Sequence, residues 1–290
     1  MKYLITIAFI VNVFSSKAQQ TIPIAILKTG HIIIKAYVNG KKGNFIFDTG
    51  GGITLLTKKF SENLINSSSP DGNFTAFRAT GERIDADLFT VDSISIGKFV
   101  NAKPTITIVD ANLGGYDGLI SLDLLRTQPF TIDYTRKVFV LESRKSTAEK
   151  KKDGKIINLQ LRKDRDKSLD VFAYFVLNNS KTVQLSLDCG AGNDAFNFHS
   201  RYLSSCNLDI TDTLNVKRII KESEFNPDVK TVLYTGVVPL LQVKDNSEIK
   251  VWNFKARFTP GLIYDGIVSI NWLGNILTFD LQNGLLIINN

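Results

Sequence analysis

Phe45-Ile46-Phe47-Asp48-Thr49-Gly50 is an apolar, strand-like run that ends in Asp-Thr-Gly, and the chain repeats this pattern at Gln184-Leu185-Ser186-Leu187-Asp188-Cys189-Gly190. The two aspartates, Asp48 and Asp188, stand 140 positions apart. A carboxylate at the end of a buried strand is costly unless another group pairs with it or uses it. Two such carboxylates in equivalent positions predict a dyad across an internal two-fold axis. Adjacent carboxyl groups of this kind share one proton, because they resist ionising together.

Two further pairs of matching segments follow the aspartates in the same order. Tyr116-Asp117-Gly118-Leu119-Ile120-Ser121 begins 68 residues after Asp48, and Tyr264-Asp265-Gly266-Ile267-Val268-Ser269 begins 76 residues after Asp188. The third pair is Phe130-Thr131-Ile132-Asp133 and Leu277-Thr278-Phe279-Asp280. Three ordered landmarks in each half predict an internal duplication that folds into two related lobes.

Strand patterns dominate the chain. Short alternating runs are rich in Ile, Val, Phe and Thr, whereas helical periodicity is scarce. Residues 31–38 and 44–47 flank turn residues at 39–43, which predicts a hairpin that delivers Asp48. Residues 172–177 and 182–187 repeat this arrangement and deliver Asp188. The fold class is therefore predicted as mainly β and bilobal, with a single β-sandwich or barrel as the weaker alternative.

The basic charge of the chain is concentrated near its middle. The formal net charge is +7, and residues 144–155 hold six basic and two acidic side chains. This segment carries no interleaved aromatic residues, so we predict a solvated, mobile linker and no nucleic-acid partner. The predicted organisation is an N-terminal lobe at 19–143, the linker at 144–155 and a C-terminal lobe at 156–290.

The N-terminus has the pattern of a signal peptide at residues 1–18. Lys2 precedes a mainly apolar run at 3–14, and Ser16-Lys17-Ala18 is a small-x-small cleavage site. The apolar run is short for a membrane span, although an uncleaved anchor is the alternative. We therefore expect an exported protein, periplasmic or extracellular, with no stable membrane insertion after cleavage.

The cysteines and histidines predict neither a disulfide framework nor a metal site. Cys189 and Cys206 are the two cysteines, and two separate buried thiols are favoured over a disulfide. His31 and His199 have no partner at metal-ligand spacing. Gly50-Gly51-Gly52 lacks the lysine of a phosphate-binding loop. No metal or organic cofactor is expected.

The repeated landmarks resemble the retropepsin-like aspartic proteases, and specifically the bacterial exported aspartyl-protease-like group with two fused lobes. Phe47-Asp48-Thr49-Gly50 matches the family signature, a hydrophobic residue followed by Asp, Thr or Ser, and Gly. Ser121 and Ser269 stand where the family usually has Gly in the segment that crosses behind each active-site loop. The resemblance implies a pepsin/retropepsin-like acid-protease fold, with two pseudo-symmetric β-barrel-like lobes and short helices.

The resemblance also implies an aspartic endopeptidase that hydrolyses peptide or protein substrates. Asp48 and Asp188 would hold and activate a water molecule between them. Thr49 stands where the family uses a hydroxyl to brace one loop against the other, and Cys189 occupies the matching place in the second lobe. Gly50 and Gly190 let each backbone pass close to the partner loop. Because both lobes lie in one chain, we expect an active monomer.

Two hairpins are candidates for the flap that closes over substrate in this family. Thr80 and Gly81 form the predicted tip of a hairpin at residues 77–87, and Tyr234-Thr235-Gly236 is a weaker candidate in the second lobe. Asp117 and Asp265 each precede a glycine, and we predict that they make turns and are not catalytic.

The rival hypothesis is a catalytically impaired protein of the same fold that binds peptides or another exported partner. Two departures from the family pattern favour it. Cys189 replaces a Thr or Ser, and Gly51-Gly52 follows the first turn. A thiol is a weaker hydrogen-bond donor than a hydroxyl and could loosen the dyad.

Overall fold

The computed structural model describes residues 19–62, 64, 69–222 and 230–289. The predicted signal peptide lies outside these residues. The described strands are β1 (Gln20–Pro23), β2 (Ala25–Ile26), β3 (Ile32–Val38), β4 (Lys41–Asp48), β5 (Leu55–Thr57), β6 (Gly72–Phe77), β7 (Arg83–Thr90), β8 (Ser93–Ile96), β9 (Phe99–Ala102), β10 (Thr105–Val109), β11 (Gly118–Ser121), β12 (Phe130–Asp133), β13 (Val138–Leu141), β14 (Lys155–Asn158), β15 (Gln160–Asp164), β16 (Ser168–Leu177), β17 (Lys181–Leu187), β18 (Phe196–His199), β19 (Lys217–Glu222), β20 (Lys230–Val243), β21 (Asn246–Thr259), β22 (Gly266–Val268), β23 (Ile276–Asp280) and β24 (Leu285–Asn289).

Helices are short and few among the described residues. The α-helices are α1 (Lys58–Ser61) and α2 (Arg144–Asp153), and single 3-10 turns lie at Leu122–Leu125, Cys189–Ala191, Ser200–Tyr202, Ser204–Cys206 and Asn271–Leu273. The prediction of a mainly β fold is confirmed. No helix in the described ranges is long and apolar enough to cross a bilayer.

Three sheets organise these strands into two lobes and a shared base. A ten-stranded sheet contains β2 to β11, and an eight-stranded sheet contains β15 to β22. The third sheet has the order β1-β13-β12-β23-β24-β14 and therefore combines strands from both halves of the chain. The lobes are joined by a hydrogen-bonded sheet and not only by the charged segment between them.

The same strand crossing occurs in each lobe and places each aspartate. Strand β11 runs parallel to β4, with Ser121 opposite Asp48, and antiparallel to β5. Strand β22 runs parallel to β17, with Val268 opposite Leu187, and antiparallel to β18. Each aspartate thus lies at the end of an interior strand that is hydrogen-bonded on both sides, so its position is fixed by the sheet.

The base sheet packs beneath the two aspartates through aromatic rings. Phe130 stacks on Phe139 at 4.9 Å and on Phe279 at 5.1 Å between ring centroids. Phe47, the residue before Asp48, packs edge-on against Phe130 at 5.5 Å. All four rings are fully buried. Burial of rings of this size supplies a large share of core stabilisation and anchors the first active-site loop to the shared base.

Residues 144–155 correct one sequence prediction, because most of the segment is helix α2 and not an irregular linker. Ser143 caps the helix: its Oγ accepts the N–H of Ser146 at 3.0 Å, and Ser146 Oγ accepts the N–H of Ser143 at 2.9 Å. The buried Glu142 accepts a hydrogen bond from Ser146 and lies 3.7 Å from Lys150 Nζ. The helix is held by its cap and this charged anchor.

Candidate active site

Strands β4 and β17 end in two loops that face each other. The hydroxyl of Thr49 accepts the backbone N–H of Cys189 at 2.9 Å and donates to the carbonyl of Leu187 at 2.7 Å. The thiol of Cys189 accepts the N–H of Thr49 at 3.3 Å and donates to the carbonyl of Phe47 at 3.1 Å. The four bonds form one reciprocal set, in which the thiol makes the same contacts as the hydroxyl and binds the two loops together.

Gly50 and Gly190 allow the two carboxyl groups to meet. A Cβ added to Gly50 would lie 2.4 Å from Cγ of Asp188, and a Cβ added to Gly190 would lie 2.4 Å from Cγ of Asp48. Carbon atoms cannot approach this closely, so only glycine is compatible with the arrangement at either position. Each glycine therefore passes directly over the carboxyl group of the opposite lobe.

The two aspartates form a coupled, hydrogen-bonded pair. Burial raises the pKa of Asp48 above its ordinary value of 3.8, while a hydrogen bond with Asp188 and backbone N–H groups oppose that rise. Burial raises the pKa of Asp188 well above 3.8, and the charge of Asp48 and its hydrogen bond raise it further. Asp188 therefore has the higher pKa of the two, and the pair can share one proton.

Backbone N–H groups donate to both carboxyl groups of the pair. The backbone N–H of Gly50 donates to Asp48 Oδ1 at 2.8 Å, which stabilises the ionised form of that carboxyl. Oδ1 of Asp188 is buried and has no hydrogen-bond partner among the described residues. Both aspartates nevertheless remain partly exposed as residues. Oδ1 of Asp188 thus keeps hydrogen-bonding capacity for a molecule bound between the two carboxyl groups.

Asp117 and Asp265 have equivalent supporting positions. Asp117 Oδ2 accepts the N–H of Asn44 at 2.8 Å, and Asp265 Oδ2 accepts the N–H of Gln184 at 3.0 Å. Each donor lies four residues before an active-site aspartate. These carboxylates therefore tie the crossing strand to the strand that delivers Asp48 or Asp188, in addition to the turn role that the sequence predicted.

The serines that replace the family glycines are accommodated with their hydroxyls paired. Ser121 Oγ lies 3.2 Å from Thr54 Oγ1, and that oxygen also accepts the N–H of Ser121 at 3.1 Å. Ser269 Oγ accepts the N–H of Ala195 at 2.9 Å. Because these hydroxyls link the crossing strands to the loops that follow each aspartate, the departures add contacts behind the site.

The hairpin between β6 and β7 extends from the first lobe to the second. Its tip residues, Thr80 and Gly81, lie in the turn between these strands, as the sequence predicts. The carbonyl of Ala79 accepts the N–H of Ile263 at 3.0 Å, and a Cβ on Gly81 would lie 3.3 Å from the carbonyl oxygen of Gly261. We call residues 78–82 the flap tip. It is docked on the second lobe by a backbone hydrogen bond.

The second flap candidate requires a correction. Tyr234, Thr235 and Gly236 lie within strand β20, paired with β21, and not at a hairpin tip. Residues 223–229, which connect β19 to β20, lie outside the described residues. Residues 234–236 form strand because they belong to a long alternating run with aromatic and β-branched neighbours. Gly236 therefore does not mark a turn. It instead leaves room for Leu208, whose Cδ1 lies 2.7 Å from the position of an added Cβ.

Sequence reasoning missed several residues near the dyad. His31, predicted to lie on the surface or in a strand, is close enough for its charge to oppose the burial-driven rise in the pKa of Asp48. Its Nδ1 lies 2.8 Å from Thr29 Oγ1. Tyr264 of the second lobe lies close enough to Asp188 for the charge of that carboxyl to contribute to its raised pKa, and Arg162 donates to the Tyr264 hydroxyl at 3.0 Å. None of the three belongs to a short motif, although Tyr264 opens one of the repeated segments.

The cysteines occur as two separate free thiols, as predicted. Burial raises the pKa of the Cys189 thiol well above its ordinary value, and the charges of Asp48 and Asp188 add to this effect. Burial also raises the pKa of Cys206, to about 12. Both thiols are thus protonated at neutral pH and poor nucleophiles. Within the described part of the chain, no three His, Cys, Asp or Glu side chains form a group that could hold a metal.

The fold and site define an aspartic-protease-like protein, and comparison with known proteins agrees. A family model described as aspartyl protease matches residues 34–124, which include Asp48 and the flap tip. A retropepsin-like aspartic protease from Rickettsia conorii is 28% identical, with 43% of this chain and 91% of that chain covered and a TM-score of 0.35. The structure of edgp is 10% identical, with 93% and 94% covered and a TM-score of 0.49.

A search of curated proteins found no match. The family-model match covers the first Asp-Thr-Gly turn and the strand that crosses behind it. The first lobe is therefore similar to aspartyl proteases, and the chain resembles the retropepsin-like members of that group.

Proposed function

We propose that this chain is an exported aspartic endopeptidase that hydrolyses peptide bonds at the Asp48/Asp188 dyad. The observation that carries the proposal is the hydrogen-bonded carboxyl pair with two raised pKa values, over which Gly50 and Gly190 pass. Such a pair contains an acid and a base in one place, which is the requirement for hydrolysis of an unreactive amide. The family match supports the class of reaction.

The higher pKa of Asp188 supports different roles for the two carboxyl groups. Asp48, which is ionised, accepts a proton from a water molecule as the water oxygen attacks the peptide carbonyl carbon. Asp188, which is protonated, donates a hydrogen bond to the carbonyl oxygen as negative charge develops there. Transfer of the Asp188 proton to that oxygen gives a diol. Asp48 then passes the proton that it took from water to the amide nitrogen, the C–N bond breaks, and Asp188 regains a proton from a diol hydroxyl as the carboxylic acid forms, so the dyad again holds one proton.

The surrounding structure supports these steps in two ways. The reciprocal bonds of Thr49 and Cys189 fix the separation of the carboxyl groups, which is what orientation-dependent catalysis needs. The flap tip bridges to the second lobe near Ile263 and can exclude bulk water from a bound peptide. The rival binding function would need a dyad whose geometry is broken, and the hydrogen bond between the carboxyl groups favours the enzyme.

The experiment is an assay of the purified chain on a mixed peptide library, with and without a transition-state-mimicking aspartic protease inhibitor. We expect cleavage that the inhibitor suppresses. Asp48→Asn and Asp188→Asn should each reduce kcat/KM by about a thousandfold or more, because each removes the shared proton chemistry at nearly constant volume. Asp110→Asn is the matched control, since Asp110 is a surface residue paired with Lys58 at 3.8 Å.

Thermal unfolding of each variant distinguishes lost chemistry from lost fold. Folded Asp48→Asn or Asp188→Asn protein with near-normal turnover would exclude the dyad mechanism. If the folded wild-type chain cleaves no peptide in the library over a broad pH range but binds peptides, the rival binding function is supported.

Export and a monomeric active form are part of the proposal. Their support is the signal-peptide pattern at residues 1–18 and the presence of both active-site loops in one chain. Mass spectrometry of the chain recovered from outside the cytoplasm should find a terminus at residue 19. Sizing chromatography should place the peptidase activity at the mass of one chain, and activity confined to a dimer peak would contradict this.

A further inference from the structure

A cavity of about 400 Å³ lies on the second lobe, beside the region where the flap tip docks. Ile263, whose N–H binds the carbonyl of Ala79 in the flap tip, lines one side of it. Phe172, Gln184 and Tyr264 line the remainder together with two arginines. We call this space the arginine cavity. Its position next to the docked flap tip makes it accessible to a peptide that lies beneath the flap.

One electrostatic interaction and one close approach connect the arginine cavity to the dyad loops. Burial and the charge of Asp170 raise the pKa of Tyr264, and the charge of Asp188 acts in the same direction. An added Cβ on Gly52, two residues after Gly50, would lie 3.4 Å from Asp170 Oδ1. The cavity wall therefore approaches the second aspartate through Tyr264 and the first active-site loop through Asp170.

Arg162 is held rigidly at this wall. Its Nε and Nη2 donate to Asp170 Oδ2 at 3.0 and 2.7 Å, and Nη2 also donates to the Tyr264 hydroxyl at 3.0 Å. The guanidinium carbon lies 5.5 Å from the ring centroid of Phe172 and 5.3 Å from that of Tyr264. A guanidinium with these contacts has lost most of its rotamer freedom before any ligand arrives.

The two arginines are more exposed than the carboxylates with which they pair. The side chain of Arg162 is 54% exposed while that of Asp170 is 14% exposed. Arg201, the second arginine, is 55% exposed and pairs with Asp265, which is 24% exposed. Within the described residues, Nη1 of Arg162 has no hydrogen-bond partner, and the rest of the described lining is otherwise uncharged apart from Asp265. The surface offered to a ligand is therefore positive.

We infer that the arginine cavity is a substrate subsite that selects a carboxylate, with Arg162 as the residue that determines specificity. This inference rests on the proposed peptidase function and deepens it, because it names the chemical class of the preferred substrate. The free Nη1 of Arg162 can donate charge-assisted hydrogen bonds to a carboxylate in the plane of the guanidinium. The carboxylate belongs either to an Asp or Glu side chain or to the C-terminus of the peptide.

The first test compares peptides that are identical except for Glu, Gln or Lys at one position, scanned along the sequence. At one position, the wild-type kcat/KM should favour Glu over Gln by about tenfold or more. Arg162→Gln should reduce this ratio to about threefold or less, and Arg162→Lys should give an intermediate ratio because a point charge remains without the planar fork. Arg136→Gln is the matched control, since Arg136 is exposed, pairs with Asp133 at 4.0 Å and does not line the cavity.

A second measurement identifies the source of the carboxylate. Amidation of the peptide C-terminus should leave the preference unchanged if a side chain occupies the cavity, and should remove it if the terminal carboxylate does. The preference for Glu should also decline as pH falls below about 4.3, where the substrate side chain becomes protonated. If the role of Arg162 were purely structural, its substitution would reduce turnover of the Glu and Gln peptides equally. The preference for Glu would then show no dependence on pH.

The inference and the proposed function fail in distinguishable ways. Binding of the Glu and Gln peptides to Asp48→Asn protein measures the preference without any turnover. If no peptide is cleaved but the Glu peptide still binds about tenfold more tightly, the peptidase proposal fails and the carboxylate site stands. Equal affinities and equal kcat/KM values in the wild type overturn the inference, whether or not the Arg162 variants fold.

Discussion

Thr49 and Cys189 bind the two active-site loops together through equivalent hydrogen bonds, although one side chain is a hydroxyl and the other a thiol. Each side chain accepts the N–H of the other residue, and each donates to the carbonyl of the residue before the opposite aspartate. The bonds of the thiol are longer than those of the hydroxyl, at 3.3 and 3.1 Å against 2.9 and 2.7 Å. All four hydrogen bonds are present. The two that Cys189 makes are the weaker ones, because sulfur is the poorer donor and acceptor.

The first prediction concerns the weaker half of this set. Cys189→Thr should preserve the fold and leave kcat/KM equal or higher, because a hydroxyl can make the same two bonds more strongly. Cys189→Ala should lower the free energy of unfolding by about 1–3 kcal/mol, since it leaves the N–H of Thr49 buried and unpaired. The measurements are thermal unfolding and peptidase kinetics on the three proteins.

The same residue distinguishes aspartic from thiol chemistry. Because burial and the nearby carboxylates raise the pKa of Cys189, the native protein should resist thiol alkylation at neutral pH and should react only after unfolding. Complete loss of activity in a folded Cys189→Thr variant would refute the aspartic mechanism in favour of a cysteine nucleophile.

The raised pKa values of the dyad predict a pH dependence of both activity and stability. Activity should rise with pH as Asp48 ionises and fall as Asp188 loses its proton, so the alkaline limb should lie well above the ordinary Asp value of 3.8. A carboxyl with a raised folded pKa binds its proton more tightly in the folded state. Its contribution to stability is therefore present at low pH and is lost as pH rises through the folded pKa.

The dyad variants test this sign directly. In the wild type, the free energy of unfolding should decrease as pH rises. Asp188→Asn should remove this decrease, because the asparagine side chain does not titrate. At neutral pH the variant should equal or exceed the wild type in Tm while it lacks activity. A wild-type Tm that increases steadily between pH 4 and pH 7, with an unchanged increase in Asp188→Asn, would contradict the assigned pKa directions.

A third prediction follows from the close passage of glycine over each carboxyl group. Gly190→Ala should abolish peptidase activity, since its Cβ would lie 2.4 Å from Oδ2 of Asp48. Gly50→Ala should do the same at Asp188, whose Oδ2 would lie 2.7 Å from the added carbon. Kinetics combined with circular dichroism should show a folded, inactive protein in both cases. An active Gly190→Ala variant would mean that the loops are farther apart than described here.

The sequence predicted the repeated parts of this structure. It did not predict the side chains whose positions depend on long-range packing. Asp48 and Asp188 were identifiable because the same turn follows the same kind of strand twice. Arg162 was not identifiable, because its role depends on Tyr264, which is distant in sequence, as well as on Asp170 and Phe172 of the neighbouring strand. No periodic or local signal records such a contact.

Helix α2 illustrates a different failure. The segment at 144–155 has the composition of an exposed linker, and of the helix residues only Thr147 is buried. Apolar periodicity, the main helix signal, is therefore absent. The available signal was the N-terminal cap at Ser143, together with Glu142, which also accepts a hydrogen bond from Thr131 at 2.6 Å. A buried carboxylate beside a capping serine is informative only when the fold is known.

Limited proteolysis tests the stability of helix α2. A capped helix resists trypsin despite its lysines, so Arg144–Asp153 should be cleaved slowly in the wild type. Ser143→Ala should lower the free energy of unfolding by about 1 kcal/mol and accelerate cleavage at Lys150 to Lys152, because it removes the acceptor for the N–H of Ser146. Ser180→Ala on a distant turn is a control. Equal cleavage rates in the wild type and the Ser143 variant would count against a stable helix.

The last prediction concerns the flap tip and uses two glycines with nearly the same backbone conformation. Gly81 has φ of +82° and Gly40 has φ of +80°, so alanine at either position should cost about 1 kcal/mol of strain. An added Cβ at Gly81 would also press on the carbonyl of Gly261 at 3.3 Å, whereas nothing lies within 4 Å at Gly40.

Gly81→Ala should therefore weaken the docking of the flap tip and raise KM several-fold, while Gly40→Ala should lower stability alone. Parallel measurement of Tm and of kcat and KM in the two variants separates the effects. If both variants lose stability equally and neither changes KM, contact between the flap tip and the second lobe has no part in substrate binding.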